Sequence, residues 1–276
     1  MTTEQSEGDS AARREIPIEE VKYEQDGPIA TVTLSRPDVL NAQTPAMWAE
    51  LGNISRKLPG DVRVVIVRGA GRAFSAGLDL SVARGRGHSS SADLPSLADL
   101  ARLPAEDCAE RIAGFQSAFT WLRRPSLVTI AAVQGHAIGA GFQLALNCDM
   151  RVLADDARFA MAEVTLGLVP DLGGTKRLTE LVGPSRALEI CLTGRRVSAD
   201  EADRIGLATA VVPVGDLDAA VSDLAAAVLA ADQGAVAEIK ALIGGASGRT
   251  YADQDRAERE AQTRRLADLS VRRDSE

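Results

Sequence analysis

The alternation of apolar and polar positions along the chain predicts a mixed α/β protein. Strand-like runs alternate with segments of helical periodicity through about residue 210, and almost all of the chain beyond that point has helical periodicity. The predicted strands are residues 29–34, 61–68, 150–154, 157–161 and 209–212, together with an apolar run that begins at residue 130. The predicted helices are residues 45–57, 105–122, 175–181, 185–192, 217–231, 235–242 and 251–269, with a short helix that begins at the capping box 198–201 and ends at residue 206. Residues 1–15 are polar and acidic, which predicts a disordered tail.

Composition narrows the functional classes. Of the 276 residues, 45% are hydrophobic and 25% are charged, which is typical of a soluble globular protein. A net charge of −8 and an aromatic content of 3% argue against a nucleic-acid partner. No leader-like or membrane-length apolar run occurs, so we expect a cytoplasmic protein without a membrane contact. Cys108, Cys148 and Cys191 are widely separated, which favours small buried side chains over disulfides or a zinc site.

Two turns of small residues follow predicted strands in the same order of elements. The first, residues 73–80, comes after the strand at 61–68, and the second, residues 139–141, comes after the apolar run from residue 130. A small-residue turn at the start of a helix leaves backbone N–H groups without partners. If the fold uses this unit twice, one N–H from near Leu78 and one from near Ala140 would converge as an oxyanion hole. The structural alternative is that the glycines only allow close packing.

Two acidic residues are candidates for chemistry. Glu163 follows a short predicted strand in apolar company, where an ionised carboxylate is costly and its pKa would be raised. A structural ion pair is the alternative role for this residue. Asp171 follows Pro170 and precedes two glycines, so a turn or a helix cap is its alternative role.

Five segments together resemble the crotonase superfamily, the enoyl-CoA hydratase/isomerase family. They are residues 34–37 with 41–42, 73–79, 131–135 with 139–141, 148–151 and 167–175, and the likeness covers roughly residues 20–265. The resemblance implies an α/β fold with a crotonase-like (ClpP/crotonase) core of repeated β-β-α units. On this basis residues 16–210 form the spiral core with an acyl-CoA site, and residues 211–276 form a C-terminal helical region used for trimerisation or to cover the active site.

The resemblance also assigns partners and site residues. It implies an acyl-CoA thioester substrate, no separate cofactor because coenzyme A is part of the substrate, no metal, and a homotrimer or dimer of trimers. Two backbone N–H groups that hold the thioester oxygen in the family correspond to Leu78 and Ala140, in agreement with the two-turn argument. The other residues expected to contact substrate are Ala76, Gly77, Asp79, Gly139 and Gln143.

The chain departs from the hydratase pattern at Gln143. Hydratases of the family resemble one another in using two glutamates, and this chain has Gln143 and Glu163 at those positions. An amide can orient a water molecule but cannot take its proton, whereas a single carboxylate suffices to move a double bond between the β,γ and α,β positions. Asp171 matches an aspartate that is catalytic in some isomerase branches, although the same segment also occurs as a plain loop.

Three hypotheses remain open. The leading one is an enoyl-CoA isomerase in which Glu163 transfers the proton. The second is an enoyl-CoA hydratase of fatty-acid β-oxidation, slowed about 10²–10⁴-fold because one acid–base group is missing. The third is an acyl-CoA-binding subunit without catalysis. A serine hydrolase and a dinucleotide site are disfavoured because the chain has neither Gly-x-Ser-x-Gly nor Gly-x-Gly-x-x-Gly.

The sequence gives fewer signals for the residues that contact the two ends of the substrate, the CoA phosphates and the acyl chain. Arg72, Arg84 and Arg86 are candidates to bind the CoA phosphates, but exposed and solvated arginines are the default interpretation. Acyl chain length would depend on a polar loop at residues 82–107 and on the helix at 105–122.

Overall fold

The computed structural model describes residues 20–83 and 97–273 of the chain. In this part of the chain the strands are β1 Val21–Asp26, β2 Ile29–Leu34, β3 Val64–Gly69, β4 Val128–Val133, β5 His136–Ile138, β6 Met150–Ala154, β7 Arg158–Ala160, β8 Val197–Ser198 and β9 Ala210–Val212. The helices are α1 Pro45–Lys57, α2 Leu80–Ala83, α3 Leu97–Leu100, α4 Ala105–Thr120, α5 Ala140–Asn147, α6 Gly174–Val182, α7 Pro184–Thr193, α8 Ala199–Arg204, α9 Leu217–Ala230, α10 Gln233–Ala246 and α11 Tyr251–Arg273. The predicted tail at residues 1–15 lies outside the described residues, as do residues 84–96 of the predicted polar loop.

The strands form two sheets. A six-stranded sheet has the order β1-β2-β3-β4-β6-β9, in which only the β1–β2 pair is antiparallel, and a three-stranded sheet has the order β5-β7-β8. The chain passes from the large sheet to the small one twice in succession, from β4 to β5 and from β6 to β7, and each passage leads on to helices. The predicted core of repeated β-β-α units is therefore confirmed.

Burial on both faces explains the nearly continuous apolar sequence of the central strands. Along β4, Ala131 and Val133 face the main core, while Ile130 and Ala132 face a second cluster formed with Leu217 and other residues of α9. Each aliphatic side chain of this size that is fully buried stabilises the fold by about 1.5–3 kcal/mol. The sequence of β3 was predicted to be a strand covered on both faces, and this prediction is confirmed, with a start at Val64.

Helix α1 has the cap that the sequence predicts. The Thr44 hydroxyl accepts a hydrogen bond from the Met47 N–H over 3.2 Å, and Pro45 occupies the first helical position, where its missing N–H costs nothing. The apolar face of α1 packs against α4, and the Trp48 ring meets Phe115 and Phe119 edge to face. These contacts place Trp48 and Phe115 next to the cleft described below.

The C-terminal helices differ in how much they bury. Helix α9 covers the large sheet, whereas α10 has no fully buried residue and, in the described part of α11, only Ala261 is buried. Strand β9 spans the predicted boundary at residue 210 and pairs with β6. Among the described residues, no helix combines the length and the hydropathy that a membrane crossing requires.

Three strands were not predicted from the sequence, and the position of Glu163 differs from the prediction. Strand β1 was missed because it is an edge strand whose side chains are mostly exposed, and β5 and β8 were missed because two or three residues give no periodicity. Glu163 was predicted to be at a strand end, but β7 ends at Ala160 and Glu163 belongs to a 3₁₀ helix, Ala162–Leu166. The chain thus turns before it reaches this carboxylate.

Candidate active site

Backbone hydrogen bonds join the two turns of small residues. Ser75 donates its N–H to the His136 carbonyl over 2.8 Å, and its carbonyl accepts from the Ile138 N–H over 3.0 Å. Gly77 has a φ of +87°, and a Cβ atom at this position would lie 2.5 Å from the Ile138 carbonyl oxygen. Only glycine fits there, because both the left-handed conformation and the close approach exclude a side chain.

The first turn presents the Leu78 N–H toward the second. Gln43 donates its N–H to the Gly77 carbonyl over 2.6 Å, and its carbonyl accepts from the Asp79 N–H over 2.8 Å. Successive backbone groups of an extended segment point to opposite sides, so the Leu78 N–H points away from Gln43. Among the described residues, this N–H makes no backbone hydrogen bond.

The second turn presents the Ala140 N–H. Ala140 is the first residue of α5, so its N–H has no partner within the helix, and among the described residues it has none elsewhere. The preceding N–H, that of Gly139, donates to the Ala160 carbonyl over 2.8 Å and so fixes the turn against β7. The positive end of the helix dipole adds to the attraction for negative charge at this point.

A cavity of about 480 Å³ opens over both turns. Its lining includes eight of the nine predicted site residues: Ala76, Gly77, Leu78, Gly139, Ala140, Gln143, Glu163 and Asp171. Asp79 is the exception. Its carboxylate accepts hydrogen bonds from Arg36 over 2.9 Å and from the Ser81 hydroxyl over 2.6 Å. Burial acts to raise the pKa of Asp79, but these two partners outweigh it and the pKa lies below its ordinary value.

The Gln143 side chain is fixed at both ends. Its Oε1 accepts from the Leu172 N–H over 2.8 Å and from the Gly174 N–H over 3.3 Å, so the other end of the amide must be the NH₂ group. This Nε2 donates to Glu163 Oε1 over 2.7 Å. Gln143 therefore ties the helix α5 to the segment after Asp171 and orients the Glu163 carboxylate at the same time.

Glu163 is the central titratable group. Its carboxylate lies against Gly139, since a Cβ there would be 3.3 Å from Glu163 Oε1. The other oxygen, Oε2, is buried and has no hydrogen-bond partner among the described residues. Burial raises the pKa of Glu163, and the nearby charge of Asp171 raises it further, although the hydrogen bond from Gln143 partly offsets both. A buried carboxylate with one free oxygen is suited to accept a proton.

Asp171 also lines the cavity, close enough to Glu163 for its charge to affect the pKa of that carboxyl. Its backbone carbonyl accepts a hydrogen bond from Gln116 Nε2 over 2.7 Å, which anchors the segment to α4. Burial raises the pKa of the Asp171 carboxyl as well. The structure therefore brings Glu163, Asp171 and Ala140 into the lining of one cavity.

Much of the cavity lining is apolar. Cys108, Ile112 and Phe115 line it from α4, and Trp48 lines it from α1. The sequence predicts the apolar face of α4 and a role for this helix in setting acyl chain length, but it gives no signal for Trp48, because cavity-lining and core residues have the same periodicity. Among the cysteines, Cys148 is buried, while Cys108 and Cys191 are half-buried.

Other candidates lie outside this cavity. Arg72 is exposed on the surface, and Arg84 and Arg86 lie outside the described residues. Across residues 20–83 and 97–273, no group of three His, Cys, Asp or Glu side chains is arranged to hold a metal ion.

Comparison with known proteins shows the family. The sequence model described as enoyl-CoA hydratase/isomerase matches residues 24–274. A probable enoyl-CoA hydratase of Mycobacterium tuberculosis is 35% identical over 201 residues, which are 72% of this chain and 71% of the relative. Carnitinyl-CoA dehydratase of Salmonella enteritidis is 37% identical over 227 residues, which are 81% of this chain and 80% of the relative.

Solved structures agree with this result. The crystal structure named "a putative enoyl-CoA hydratase" from Thermobifida fusca, in complex with CoA, has a TM-score of 0.84 at 45% identity and covers 92% of this chain and 95% of that one. The same protein in complex with acetoacetyl-CoA has a TM-score of 0.85 at 46% identity, with 91% and 96% covered. The chain belongs to the enoyl-CoA hydratase/isomerase family of the crotonase superfamily.

Proposed function

We propose that this protein shifts the double bond of an enoyl-CoA thioester, with Glu163 as the group that moves the proton. The observation that carries the proposal is the position of one buried carboxylate, with a free Oε2, beside the backbone N–H of Ala140. Gln143 occupies the place of a second acid–base group, yet its amide is committed to three hydrogen bonds and cannot accept a proton.

A CoA thioester is the ligand that the site supports best. The complexes of the Thermobifida fusca protein with CoA and with acetoacetyl-CoA support the same ligand class for this chain. The thioester oxygen would accept hydrogen bonds from the Leu78 and Ala140 N–H groups, and the acyl chain would extend toward Trp48 and Phe115. An apolar chain suits this part of the cavity, because the side chains that line it offer dispersion contacts and few hydrogen bonds.

The reaction needs one proton carrier and one stabilised enolate. The Glu163 carboxylate takes a proton from the α-carbon of a 3-enoyl ester, and the electrons of that C–H bond delocalise into the thioester as a dienolate. The two N–H groups stabilise the negative oxygen, which is the largest contribution of such a pocket. The carboxyl group exchanges its proton with solvent and then donates a proton to the γ-carbon, which leaves the 2-enoyl ester and regenerates the carboxylate. The pKa of Glu163 is raised, which brings it closer to neutral pH, where a group with a matching pKa carries protons efficiently.

Hydration is the second candidate, and the names of the relatives favour it. Several curated relatives are described as enoyl-CoA hydratases, and one is a dehydratase. In this case Glu163 would activate a water molecule that Gln143 Nε2 helps to orient, and Asp171 would supply the second carboxyl group. The raised pKa of Asp171 is compatible with a proton donor.

One assay separates these activities. Purified protein receives trans-2-enoyl-CoA and, separately, 3-enoyl-CoA in deuterated water, and the products are resolved by mass. We expect the 3-enoyl ester to be converted with deuterium uptake and with little 3-hydroxyacyl product. Rapid formation of the 3-hydroxyacyl ester would establish hydration instead, and tight binding without turnover of either ester would establish a binding subunit.

We also propose that the protein assembles into a homotrimer or a dimer of trimers through its C-terminal helices. Ile239 and Ile243 of α10 and Leu266 and Leu269 of α11 are each more than half exposed in the single chain. Exposed aliphatic side chains in this number on two adjacent helices are typical of a subunit interface.

A further inference from the structure

We propose that Gln43 is a positioning residue that couples the apolar cavity wall at Trp48 to the Leu78 N–H, so that the length of the acyl chain controls turnover as well as binding. This inference rests on the proposed function, because it concerns the same thioester and the same N–H group. Gln43 itself does not line the cavity and has no exposed surface. It would therefore act through its hydrogen-bond partners, which are Trp48 at the cavity wall and Gly77 and Asp79 in the turn that carries Leu78.

The backbone of Gln43 holds the turn that carries Leu78. Its N–H and its carbonyl are bonded to Gly77 and to Asp79, the two neighbours of Leu78, over 2.6 and 2.8 Å. A shift of Gln43 along or across its own chain direction therefore moves both ends of the Leu78 peptide segment. The orientation of the Leu78 N–H depends on the position of this one residue.

The side chain of Gln43 connects that turn to the cavity wall. Its Oε1 accepts from the indole N–H of Trp48 over 2.8 Å, and its Nε2 donates to the Ser75 hydroxyl over 3.1 Å. The same hydroxyl donates to the Asn41 carbonyl over 2.8 Å and accepts from the Gly77 N–H over 3.2 Å. A continuous chain of hydrogen bonds thus runs from Trp48 to Gly77.

Burial makes this chain of hydrogen bonds stiff. Gln43, Ser75 and Asn41 have no exposed surface, and Trp48 is 6% exposed and faces the cavity with its ring. No solvent is available to replace a broken hydrogen bond here, so a displacement at one end is transmitted to the others. An acyl chain long enough to pack on Trp48 would press on a group that is linked to the oxyanion turn, and a short chain would not.

The transmitted effect is expected in kcat. Binding energy that improves the alignment of the N–H with the transition-state oxygen raises turnover, whereas binding energy without this effect only lowers KM. Misplacement of a catalytic donor by about 1 Å can cost on the order of 100-fold in rate. We therefore expect loss of the coupling to lower kcat by about 10- to 100-fold for long chains only.

The test compares Gln43→Met, Trp48→Phe and the double variant with a matched control. Methionine keeps the unbranched shape of glutamine without its hydrogen bonds. Gln134→Met is the control, because Gln134 is also a buried glutamine with two hydrogen bonds, to the Gly69 and Gly71 carbonyls over 2.8 and 2.9 Å, but its amide does not contact the turn at Gly77. Each protein is assayed with enoyl-CoA esters of four-carbon and ten-carbon acyl chains, of whichever double-bond position the wild type converts.

In the wild type we expect kcat to be higher for the long ester than for the short one. Gln43→Met and Trp48→Phe abolish that difference, and Gln134→Met retains it. In the double variant both hydrogen-bond partners are replaced, so thermal stability recovers while the dependence of kcat on chain length stays lost. If kcat recovers together with stability, or if Gln134→Met loses the dependence equally, Gln43 has only a structural role and the proposal is overturned.

A second measurement does not require turnover. In protein labelled with ¹⁵N-leucine, the amide shift of Leu78 is followed while saturated acyl-CoA esters of the two lengths are added. We expect a shift change that depends on chain length in the wild type and not in Gln43→Met. Absence of the dependence in the wild type overturns the coupling, whereas failure of every enoyl ester to react overturns the proposed function and leaves this result standing.

Discussion

Replacing Gln143 with glutamate would place a second carboxylate beside Glu163 and restore the residue pair of the hydratase pattern. The new Oε1 can keep the hydrogen bonds from the Leu172 and Gly174 N–H groups at 2.8 and 3.3 Å. The new Oε2 takes the place of Nε2, which lies 2.7 Å from Glu163 Oε1. An acceptor would then face an acceptor, so the pair must share a proton or separate around a water molecule.

The size of the effect follows from the separation of the two charges. Two unit charges about 4 Å apart repel by about 4 kcal/mol at an effective dielectric constant near 20, which corresponds to about three pKa units. The pair would therefore retain one proton over a wide pH range in which the wild-type Glu163 is ionised. The variant gains a group that can both activate water and donate a proton, and such a group contributes about 10²–10⁴-fold.

The assay measures hydration of a trans-2-enoyl-CoA and isomerisation of a 3-enoyl-CoA for the same enzyme. We expect Gln143→Glu to raise hydration by at least about tenfold and to move the pH profile upward. The double variant Gln143→Glu/Glu163→Gln is the control, since it keeps one carboxylate but moves it to α5, and it should perform neither reaction well. If the wild type already hydrates rapidly and Gln143→Glu adds nothing, the argument from Gln143 is refuted.

Glu163→Gln should lower turnover by about 10²–10⁴-fold and yet raise the melting temperature at neutral pH, because it removes an ionised carboxylate whose folded pKa is raised by burial. Differential scanning calorimetry checks the sign, since this gain must vanish as the pH falls below the ordinary value of 4.5, where the wild-type carboxyl is protonated in both states. In the wild type, kcat/KM should rise with pH through a midpoint above 4.5, and a midpoint at or below that value contradicts the assignment of Glu163 as base. Asp171→Asn removes a like charge, so it should move this midpoint to lower pH and cost less activity than Glu163→Gln. Ile243→Asp, at a position that is 72% exposed, should convert a trimer to monomers by light scattering, and Val39→Asp, 45% exposed and outside the C-terminal helices, should not.

Local sequence signals were enough for many of the elements. Thr44-Pro45 determines where α1 begins, because the hydroxyl cap and the proline ring act within one turn of helix. The apolar run of β3 identifies a strand buried on both faces, since a strand with one face in water has polar residues on that face. Signals of this kind are absent from β1, whose exposed residues carry no alternation, and from the three-residue β5.

The two turns of small residues were also accessible from sequence, because their geometry requires glycine and other small residues. Gly77 must be glycine to approach the Ile138 carbonyl, and a small-residue turn at a helix start leaves N–H groups free. The residue types at 143 and 163 could likewise be read directly. The hydrogen bonds of Gln143 to the backbone of Leu172 and Gly174 could not be predicted from the sequence, because these groups lie far along the chain from α5.

The sequence by itself determined most of the longer helices and strands, the family, and the residue types at the candidate site, since propensities, caps and motifs act over a few residues. Only the tertiary structure decided that Asp79 pairs with Arg36 outside the cavity, that Trp48 lines it, and that Gln43 connects Trp48 to the Leu78 turn. The reason is physical. Polar groups removed from water must find partners wherever the packed chain places them, and those partners are set by the meeting of distant segments.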